Sequence, residues 1–235
     1  MDGDSRLRMF SLDDRLSAIA ALIDPCQCVG DIGTDHGLLG AYLLLNDRCK
    51  CVQFTDISAP SLKKAKSLIE IYGLQNRAQF SVGDGAQALT QAPDYTVIAG
   101  MGGQTIAHIV KTGRASLGQS TLILQPNVGQ YELRCALQDT GYEIIDETIA
   151  KSGRRFYVII KAVTGQAQYE PMQLHIGPIL MKTKPEHFSG YAAFRIRVLE
   201  KAITGAKSAE NACDESNFSM LNDELTCWKE AVKCL

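Results

Sequence analysis

Four short motifs rich in glycine and aspartate lie along the first half of the chain, each directly after a short apolar run. They are Asp31-Ile32-Gly33-Thr34-Asp35-His36-Gly37, Phe54-Thr55-Asp56-Ile57, Gly83-Asp84-Gly85 and Ala99-Gly100-Met101-Gly102-Gly103. The first three precede segments with helical patterns. In an open α/β sheet, the carboxyl ends of successive parallel strands meet at one edge, where ligands bind. The spacing therefore predicts one ligand crevice to which all four motifs contribute.

Strand and helix signals alternate five times and then give way to two strands without a helix between them. The predicted strands are Cys28–Ile32, Cys51–Thr55, Ala78–Val82, Tyr95–Ala99, Thr121–Leu124, Glu143–Ile149 and Phe156–Lys161. The last two must pair antiparallel because only a loop joins them. With right-handed crossovers, the chain is predicted to be α/β, with a doubly wound, seven-stranded, Rossmann-like sheet.

Helix signals flank these strands and continue to the end of the chain. Ser11 is a predicted N-cap, with Asp14 returning the bond. Further helices are predicted over Gly37–Leu45, Ser61–Tyr72, after Gly85, and over Gln104–Lys111 and Gln130–Asp139. Residues 162–170 have the composition of a linker.

From about Glu186 the chain is helical in pattern, with two narrow apolar seams separated by a polar break at residues 209–216. The seam residues are Ala192, Ile196, Leu199, Ile203 and Ala206, then Phe218, Leu221, Leu225, Trp228 and Val232. Two such seams predict an antiparallel helical hairpin, or coiled coil. The narrow stripes favour a projecting hairpin over helices that simply pack on the sheet. The predicted domains are residues 1–165 and 166–235.

Bulk properties narrow the classes of function. The 235 residues suffice for one domain with an appendage. The net charge of −2 means that any binding of nucleic acid must depend on a local basic patch. No apolar run is long enough for a bilayer, and the acidic first residues differ from a signal peptide. We therefore expect a cytoplasmic protein that does not associate with membranes.

Two of the cysteine pairs have a spacing that raises the question of a metal. Cys26 and Cys28 precede or begin one predicted strand, and Cys49 and Cys51 the next. Four thiolates there could hold zinc, but CxC is not the usual CxxC pattern and cysteine is a common buried residue. We expect reduced, packed thiols and no metal, at the end of the sheet opposite the crevice.

The acidic residues of the first motif indicate the charge of the ligand. Asp31 and Asp35 flank Gly33, where they would repel the pyrophosphate of a dinucleotide but attract a cation. S-adenosylmethionine carries a sulfonium and an ammonium group and is therefore favoured as the cofactor. Asp56 is placed to bind ribose hydroxyls and Asp84 an adenine amino group. Each of these aspartates could instead be a helix cap, although three acidic strand ends in a row are improbable as unrelated caps.

The predicted cofactor-binding residues come from all four motifs: Asp31, Gly33, Thr34, Asp35, His36, Asp56, Ile57, Asp84, Gly85, Ala99, Gly100 and Met101. The glycine-rich fourth motif indicates close backbone approach to the methyl donor. Asn127, after the fifth strand, could bind a base edge or merely belong to a turn.

These strings resemble the bacterial tRNA (adenine(22)-N(1))-methyltransferase family over nearly the whole chain. The resemblance is carried by residues 31–36, 83–85, 98–103 and 124–127, by Leu12, Arg15 and Leu16, and by Gly141-Tyr142 and Gly177-Pro178. It implies a seven-strand methyltransferase domain, a C-terminal coiled coil and methylation of N1 of an adenosine in tRNA. The chain departs from the family at Gly37-Leu38-Leu39-Gly40, where Ala-Tyr-Leu-Pro is usual.

Adenine N1 attacks with an in-plane lone pair, so positive charge moves onto the ring during methyl transfer. We expect Asp35 to stabilise that charge as the catalytic residue. His36 could orient Asp35 or the carboxylate of the cofactor, or have a structural role. Expected substrate contacts are Asn127, Arg15 and Arg154. Further candidates to contact tRNA phosphates are Lys151, Arg155, Lys182, Lys184, Arg195, Arg197 and Lys201. The hairpin could hold the tRNA or mediate dimerisation.

Three other classes of protein remain open from the sequence. They are a methyltransferase acting on a small molecule or a protein, an inactive cofactor-binding scaffold acting through its hairpin, and a dinucleotide oxidoreductase. The acidic first motif disfavours the oxidoreductase. Retention of Asp31, Asp35, Asp56 and Asp84 argues against an inactive scaffold.

Overall fold

In the part of the chain that the computed structural model describes, residues 10–208 and 215–233, seven strands form one sheet. They are β1 (Cys26–Ile32), β2 (Cys49–Asp56), β3 (Ala78–Val82), β4 (Tyr95–Met101), β5 (Thr121–Pro126), β6 (Tyr142–Ser152) and β7 (Arg155–Thr164). The spatial order is β3-β2-β1-β4-β5-β7-β6. Strand β7 runs antiparallel to β5 and β6, whereas β1 to β5 pair in parallel. The predicted fold class is confirmed.

The helices agree with the sequence patterns, with some differences. They are α1 (Asp14–Ala21), α2 (Leu38–Leu45), α3 (Ala59–Ile71), α4 (Gly103–Thr112), α5 (Arg114–Leu117), α6 (Gln130–Asp139), α7 (Pro171–Ile176), α8 (Pro178–Thr183), α9 (Phe188–Ser208) and α10 (Glu215–Lys233). The prediction of Ser11 as N-cap is wrong, because the Asp13 side chain accepts from Leu16 N at 2.7 Å. The short helices α5, α7 and α8 have no predicted counterpart.

Two hydrophobic clusters cover the two faces of the sheet. One packs α1, α2 and α3 on residues of β1, β2 and β4 to β7, and the other packs α4, α6 and the C-terminal helices on Ile32 of β1 and on residues of β4 to β7. Gly37 and Gly40, where the sequence departs from the family pattern, pack against residues of the first cluster. A Cβ at Gly40 would lie 2.3 Å from the Phe54 ring, and one at Gly37 would lie 2.8 Å from Ala65 Cβ. The two glycines therefore let α2 pack directly on β2 and α3.

Helices α9 and α10 pack against each other as the predicted hairpin. Phe188 and Tyr191 of α9 and Trp228 of α10 belong to the same cluster as the sheet residues, so the base of the hairpin lies on the domain. Ile203, farther along α9, is also buried but lies outside both clusters. The base of the hairpin is thus packed on the domain, and the projection of its far end stays a prediction.

A buried ion pair connects the sheet to the segment that leads into the hairpin. Arg134 Nε of α6 donates to Glu147 Oε1 of β6 at 2.9 Å, and both side chains are almost fully buried. Arg134 Nη1 also donates to the carbonyl oxygens of Leu174 and His175 at the end of α7. Glu147 Oε2 accepts from the first backbone N–H groups of α8, at Ile179 and Leu180.

We predict that Arg134→Met lowers the free energy of unfolding by about 3–5 kcal/mol, because it leaves the Glu147 carboxylate buried without its partner. Urea unfolding at neutral pH measures this loss. The matched control is Lys229→Met, which breaks the half-exposed pair with Glu200; its cost should stay below about 1 kcal/mol. Equal, small losses for the two variants would contradict the structural role given to the buried pair.

Candidate active site

A cavity of about 280 Å³ opens at the carboxyl ends of β1 and β4. Strand β1 lies between β2 and β4, and the chain leaves β1 and β4 toward opposite faces of the sheet. This is the switch point at which ligands bind in open α/β sheets. The cavity is lined by Arg15, Leu16, Asp31, Gly33, Thr34, Asp35, His36, Gly37, Leu38, Leu39, Val97, Ala99, Gly100 and Met101. We refer to it as the crevice.

The backbone of the first motif is folded so that the first and fourth motifs meet. Gly33 has a φ of +76° and donates from its N–H to the carbonyl of Thr55 at 2.8 Å. A Cβ at Gly33 would lie only 2.1 Å from Met101 Cε, and its φ would strain any other residue. Glycine at this position therefore lets the Met101 side chain lie against the end of β1 at the floor of the crevice.

Asp31 is the buried charge of the crevice. Its Oδ2 accepts from Thr34 Oγ1 at 2.8 Å, and its side chain faces the negative charge of Asp56. Burial, with a smaller contribution from Asp56, raises the pKa of the Asp31 carboxyl to about 6. The Thr34 hydroxyl and the backbone N–H of Gly40 oppose that rise. A cationic ligand in the crevice would compensate a carboxylate that is costly to ionise there.

Asp35 lies at the solvent side of the crevice. One of its carboxylate oxygens is 3.1 Å from His36 Nε2, and the other is 3.2 Å from Lys64 Nζ. The orienting role expected of His36 stays a prediction. Lys64, on α3, has no sequence signal that would have linked it to the first motif.

The remaining acidic motifs lie along the same edge of the sheet. Asp56 Oδ1 accepts from Ser58 N at 2.7 Å, whereas the N-cap of α3 is Ser58 itself. Asp84 is exposed and makes no side-chain cap of the 3-10 turn that follows it. The backbone N–H of Gly83 donates to the carbonyl of Asp56, which brings the second and third motifs together. Asp56, Ile57, Asp84 and Gly85 thus lie beside the crevice without lining it.

Polar side chains connect α1, β4 and β5 across the end of the sheet. Arg15 Nη1 donates to Gln125 Oε1 at 3.0 Å, and Gln125 Nε2 donates to Asn127 Oδ1 at 3.1 Å. Asn127 Nδ2 in turn donates to the carbonyl of Gly100 at 2.7 Å. Gln125 was not among the predicted site residues, although a glutamine inside an apolar strand is a usable signal. Arg15 lines the crevice itself, and its expected contact with the substrate stays a prediction.

A second cavity, of about 250 Å³, lies between the β5–α6 loop and the hairpin. We call it the aromatic cavity, and its lining residues are Asn127, Val128, Gly129, Gln130, Tyr131, Glu132, Phe156, His175, Tyr191, Phe194, Arg195, Met220, Leu221 and Glu224. The Tyr131 and His175 rings are stacked, with centroids 4.4 Å apart. No sequence motif predicted this cavity, because its residues come from segments far apart in the chain.

The turn between β6 and β7 carries several of the predicted basic contacts. Strand β7 pairs Ile160 with Leu124, and β5 ends at Pro126. The first residues of β7 therefore extend past the carboxyl edge of the sheet, with Arg154 and Arg155 exposed near the turn. Arg154 lines neither cavity. Arg195 lines the aromatic cavity and pairs there with Glu224.

The cysteines form a packed cluster at the opposite edge of the sheet. The register places Cys26 beside Cys49 and Cys28 beside Cys51. Burial raises the pKa of Cys26 to about 11 and that of Cys49 to about 12, which favours neutral thiols. Among the residues that the structure describes, no three His, Cys, Asp or Glu side chains are grouped to hold a metal ion. Nor does any described helix have the length and apolarity to cross a membrane.

The chain is similar in sequence to known methyltransferases. Residues 12–160 match the family model "Methyltransferase domain". A tRNA (adenine(22)-N(1))-methyltransferase from Bacillus subtilis is 34% identical over 181 residues, which cover 74% of this chain and 76% of that protein.

Solved structures agree with that similarity. The B. subtilis M1A22 tRNA methyltransferase has a TM-score of 0.85 at 27% identity, covering 94% of this chain and 99% of that chain. A Streptococcus pneumoniae protein in complex with S-adenosyl-L-methionine has a TM-score of 0.83, also at 27% identity and with the same coverage.

We predict that Asp31→Asn stabilises the ligand-free protein at pH 8 but has little effect near pH 4. The folded-state pKa of about 6 lies above the ordinary 3.8, so ionised Asp31 destabilises the fold above pH 6. Thermal melts of both proteins between pH 4 and pH 8 measure this, with an expected gain of a few degrees at pH 8. A gain that does not depend on pH would contradict this explanation.

Proposed function

Because this chain belongs to the tRNA (adenine(22)-N(1))-methyltransferase family, we infer that it transfers a methyl group from S-adenosylmethionine to N1 of an adenosine in tRNA. The relatives favour this activity over a small-molecule methyltransferase and over an inactive scaffold. The observation that carries the inference for this chain is the crevice at the β1–β4 switch point, lined by buried Asp31 and exposed Asp35. A tRNA substrate also supports a location in the cytoplasm.

The residues of the crevice fit S-adenosylmethionine. This cofactor supplies an electrophilic methyl group on a sulfonium sulfur. Asp31 provides a buried carboxylate for the positive charge of the ligand, and Arg15, across the crevice, suits a carboxylate group. Asp56 and Asp84, farther along the edge, are proposed to accept from ribose hydroxyls and from the adenine amino group.

We propose that Asp35 acts on the acceptor base. Adenine N1 needs no deprotonation before attack, so the enzyme must mainly extract the base, align N1 with the methyl group and stabilise the charge that develops on the ring. Asp35 stands at the open side of the crevice, where that base would enter, and Lys64 and His36 hold its two oxygens. The carboxylate would accept from the N6 amino group.

Asn127 is proposed to form a second contact with the edge of the acceptor adenine. Its amide is oriented by Gln125 and by the Gly100 carbonyl, which leaves one N–H and one lone pair for a ligand. Gly100 has a φ of +80° and no side chain, so a base can approach the backbone of the fourth motif closely. Met101 would add an apolar surface there.

The activity is tested by incubating the purified protein with labelled S-adenosylmethionine and unmodified tRNA, then digesting the product to nucleosides. We expect 1-methyladenosine, and we expect none from a tRNA in which guanosine replaces the adenosine at position 22. Cofactor binding without 1-methyladenosine would overturn the proposed function. Methylation of both tRNAs would overturn the assignment of the position.

We predict that Asp35→Ala lowers kcat by about 100-fold or more, because it removes the charge that stabilises the developing cation. The Kd for S-adenosylmethionine, measured by calorimetry, should change by less than about threefold. Asp35→Asn keeps the shape and one acceptor, so its kcat should lie between those of the alanine variant and the wild type. Equal losses in kcat and cofactor affinity would assign Asp35 to cofactor binding alone.

We predict that Arg154→Ala combined with Arg155→Ala raises the KM for tRNA and reduces the slope of log Kd for tRNA against log salt by about 1–2. The reason is that both guanidinium groups stand past the crevice edge, where they can meet phosphates. Lys50→Ala, at the amino end of β2, is the matched control, because that position lies at the opposite edge of the sheet. An equal effect of the two changes would contradict this placement of the tRNA.

A further inference from the structure

The aromatic cavity has a lining that neither the cofactor nor the proposed methylation accounts for. Tyr131 and His175 are stacked on one side, and Phe156 lies 5.9 Å from Phe194, centroid to centroid, on another. Burial lowers the pKa of His175, which favours its neutral form. The walls therefore present flat, uncharged aromatic rings.

The mouth of this cavity exposes apolar side chains on both sides. Val128, on the β5–α6 loop, is 67% exposed, and Met220, on α10, is 51% exposed. These two side chains give the opening of the cavity an apolar border. The loop contributes one side and the hairpin the other, so a ligand between them would contact both.

The charges of the cavity select against a phosphate group. Arg195 is paired with Glu224, which also accepts from Trp228 Nε1 at 3.2 Å. Glu132, on the first turn of α6, adds a second carboxylate to the lining. A carboxylate repels phosphate, but it can accept from the exocyclic amine of a nucleobase. Stacking between aromatic rings is likewise the usual way in which proteins hold unpaired RNA bases.

The cavity adjoins the crevice through one side chain. Asn127 lines the aromatic cavity, while its Nδ2 bonds to the carbonyl of Gly100, which lines the crevice. A nucleotide next to one held in the crevice would therefore reach this second opening.

We propose that the aromatic cavity binds a second tRNA base, flipped out beside the adenosine that is methylated. The inference rests on the proposed function and adds to it a binding site for a neighbouring nucleotide. Tyr131 and His175 provide the stacking surface, and Glu132 accepts from the exocyclic amine of the base. Holding two adjacent bases would also fix the direction in which the tRNA strand crosses the edge of the sheet.

The first test compares Tyr131→Leu, which removes the ring and keeps apolar bulk, with Tyr131→Phe, which keeps the ring. The Kd for tRNA is measured by fluorescence anisotropy with S-adenosylhomocysteine present, and kcat/KM for tRNA by methyl transfer. We expect the leucine variant to weaken both by about tenfold or more and the phenylalanine variant to restore both to within about threefold. The Kd for S-adenosylmethionine should not change. A leucine variant that binds tRNA as well as the wild type would overturn the proposal.

The second test needs no variant to fold, because it changes the tRNA. An abasic nucleotide on one side of the methylated adenosine should weaken binding to the wild-type chain by about tenfold, whereas one several nucleotides away should not. Combined with Tyr131→Leu, the flanking abasic site should cost nothing further, since the two changes remove the same contact. Full binding in both cases, when each flanking base is removed in turn, or additive losses would overturn the proposal. Failure of the proposed function would look different: tRNA would bind to the wild type without forming 1-methyladenosine.

Discussion

The divergence of the chain at the carboxyl ends of β1 and β4 is the constraint on which the site depends. Because the following helices pack on opposite faces of the sheet, they leave a gap between the ends of the two strands. Because Gly33 has no side chain, the Met101 side chain can lie at the bottom of this gap. The position of Asp31 at the end of β1 places one buried carboxylate in the gap. Fold and charge thus together select a cationic ligand.

The pair of Arg134 and Glu147 extends this arrangement to the C-terminal hairpin. Arg134 holds the carbonyl of His175, and Glu147 holds the first turn of α8. Gly177 between them leaves no room for a side chain, because a Cβ there would lie 2.5 Å from Glu147 Oε2. The same contacts that fix the hairpin on the domain therefore also set the position of His175 against Tyr131 in the aromatic cavity.

Local patterns in the sequence were enough to predict the sheet and its binding edge. Strand β3 and helix α6 match the predicted bounds, because apolar periodicity and stop signals coincide there. The error at Ser11 has a local cause, since Asp13 competes for the same role and lies closer to the first helical turn. Helices α7 and α8 were missed because each is a single short segment held by contacts to distant residues.

Only the site residues that lie within a local sequence motif could be predicted. Asp31, Asp35 and Met101 line the crevice as the order of the motifs indicated. Lys64 and Gln125 were missed because their partners lie 29 and 110 residues away in the chain. The aromatic cavity is lined by residues of α6, β7, α7 and the hairpin. Local sequence patterns do not show which distant segments pack together.

The most direct test of the account is a crystal structure of the protein with S-adenosylhomocysteine bound. We expect the product to lie at the β1–β4 switch point, with the amino group near Asp31, the ribose hydroxyls on Asp56 and the adenine beside Asp84. Its sulfur should face the open side of the crevice, toward Asp35 and Asn127. A product bound elsewhere, or one whose adenine lies in the aromatic cavity, would contradict the account.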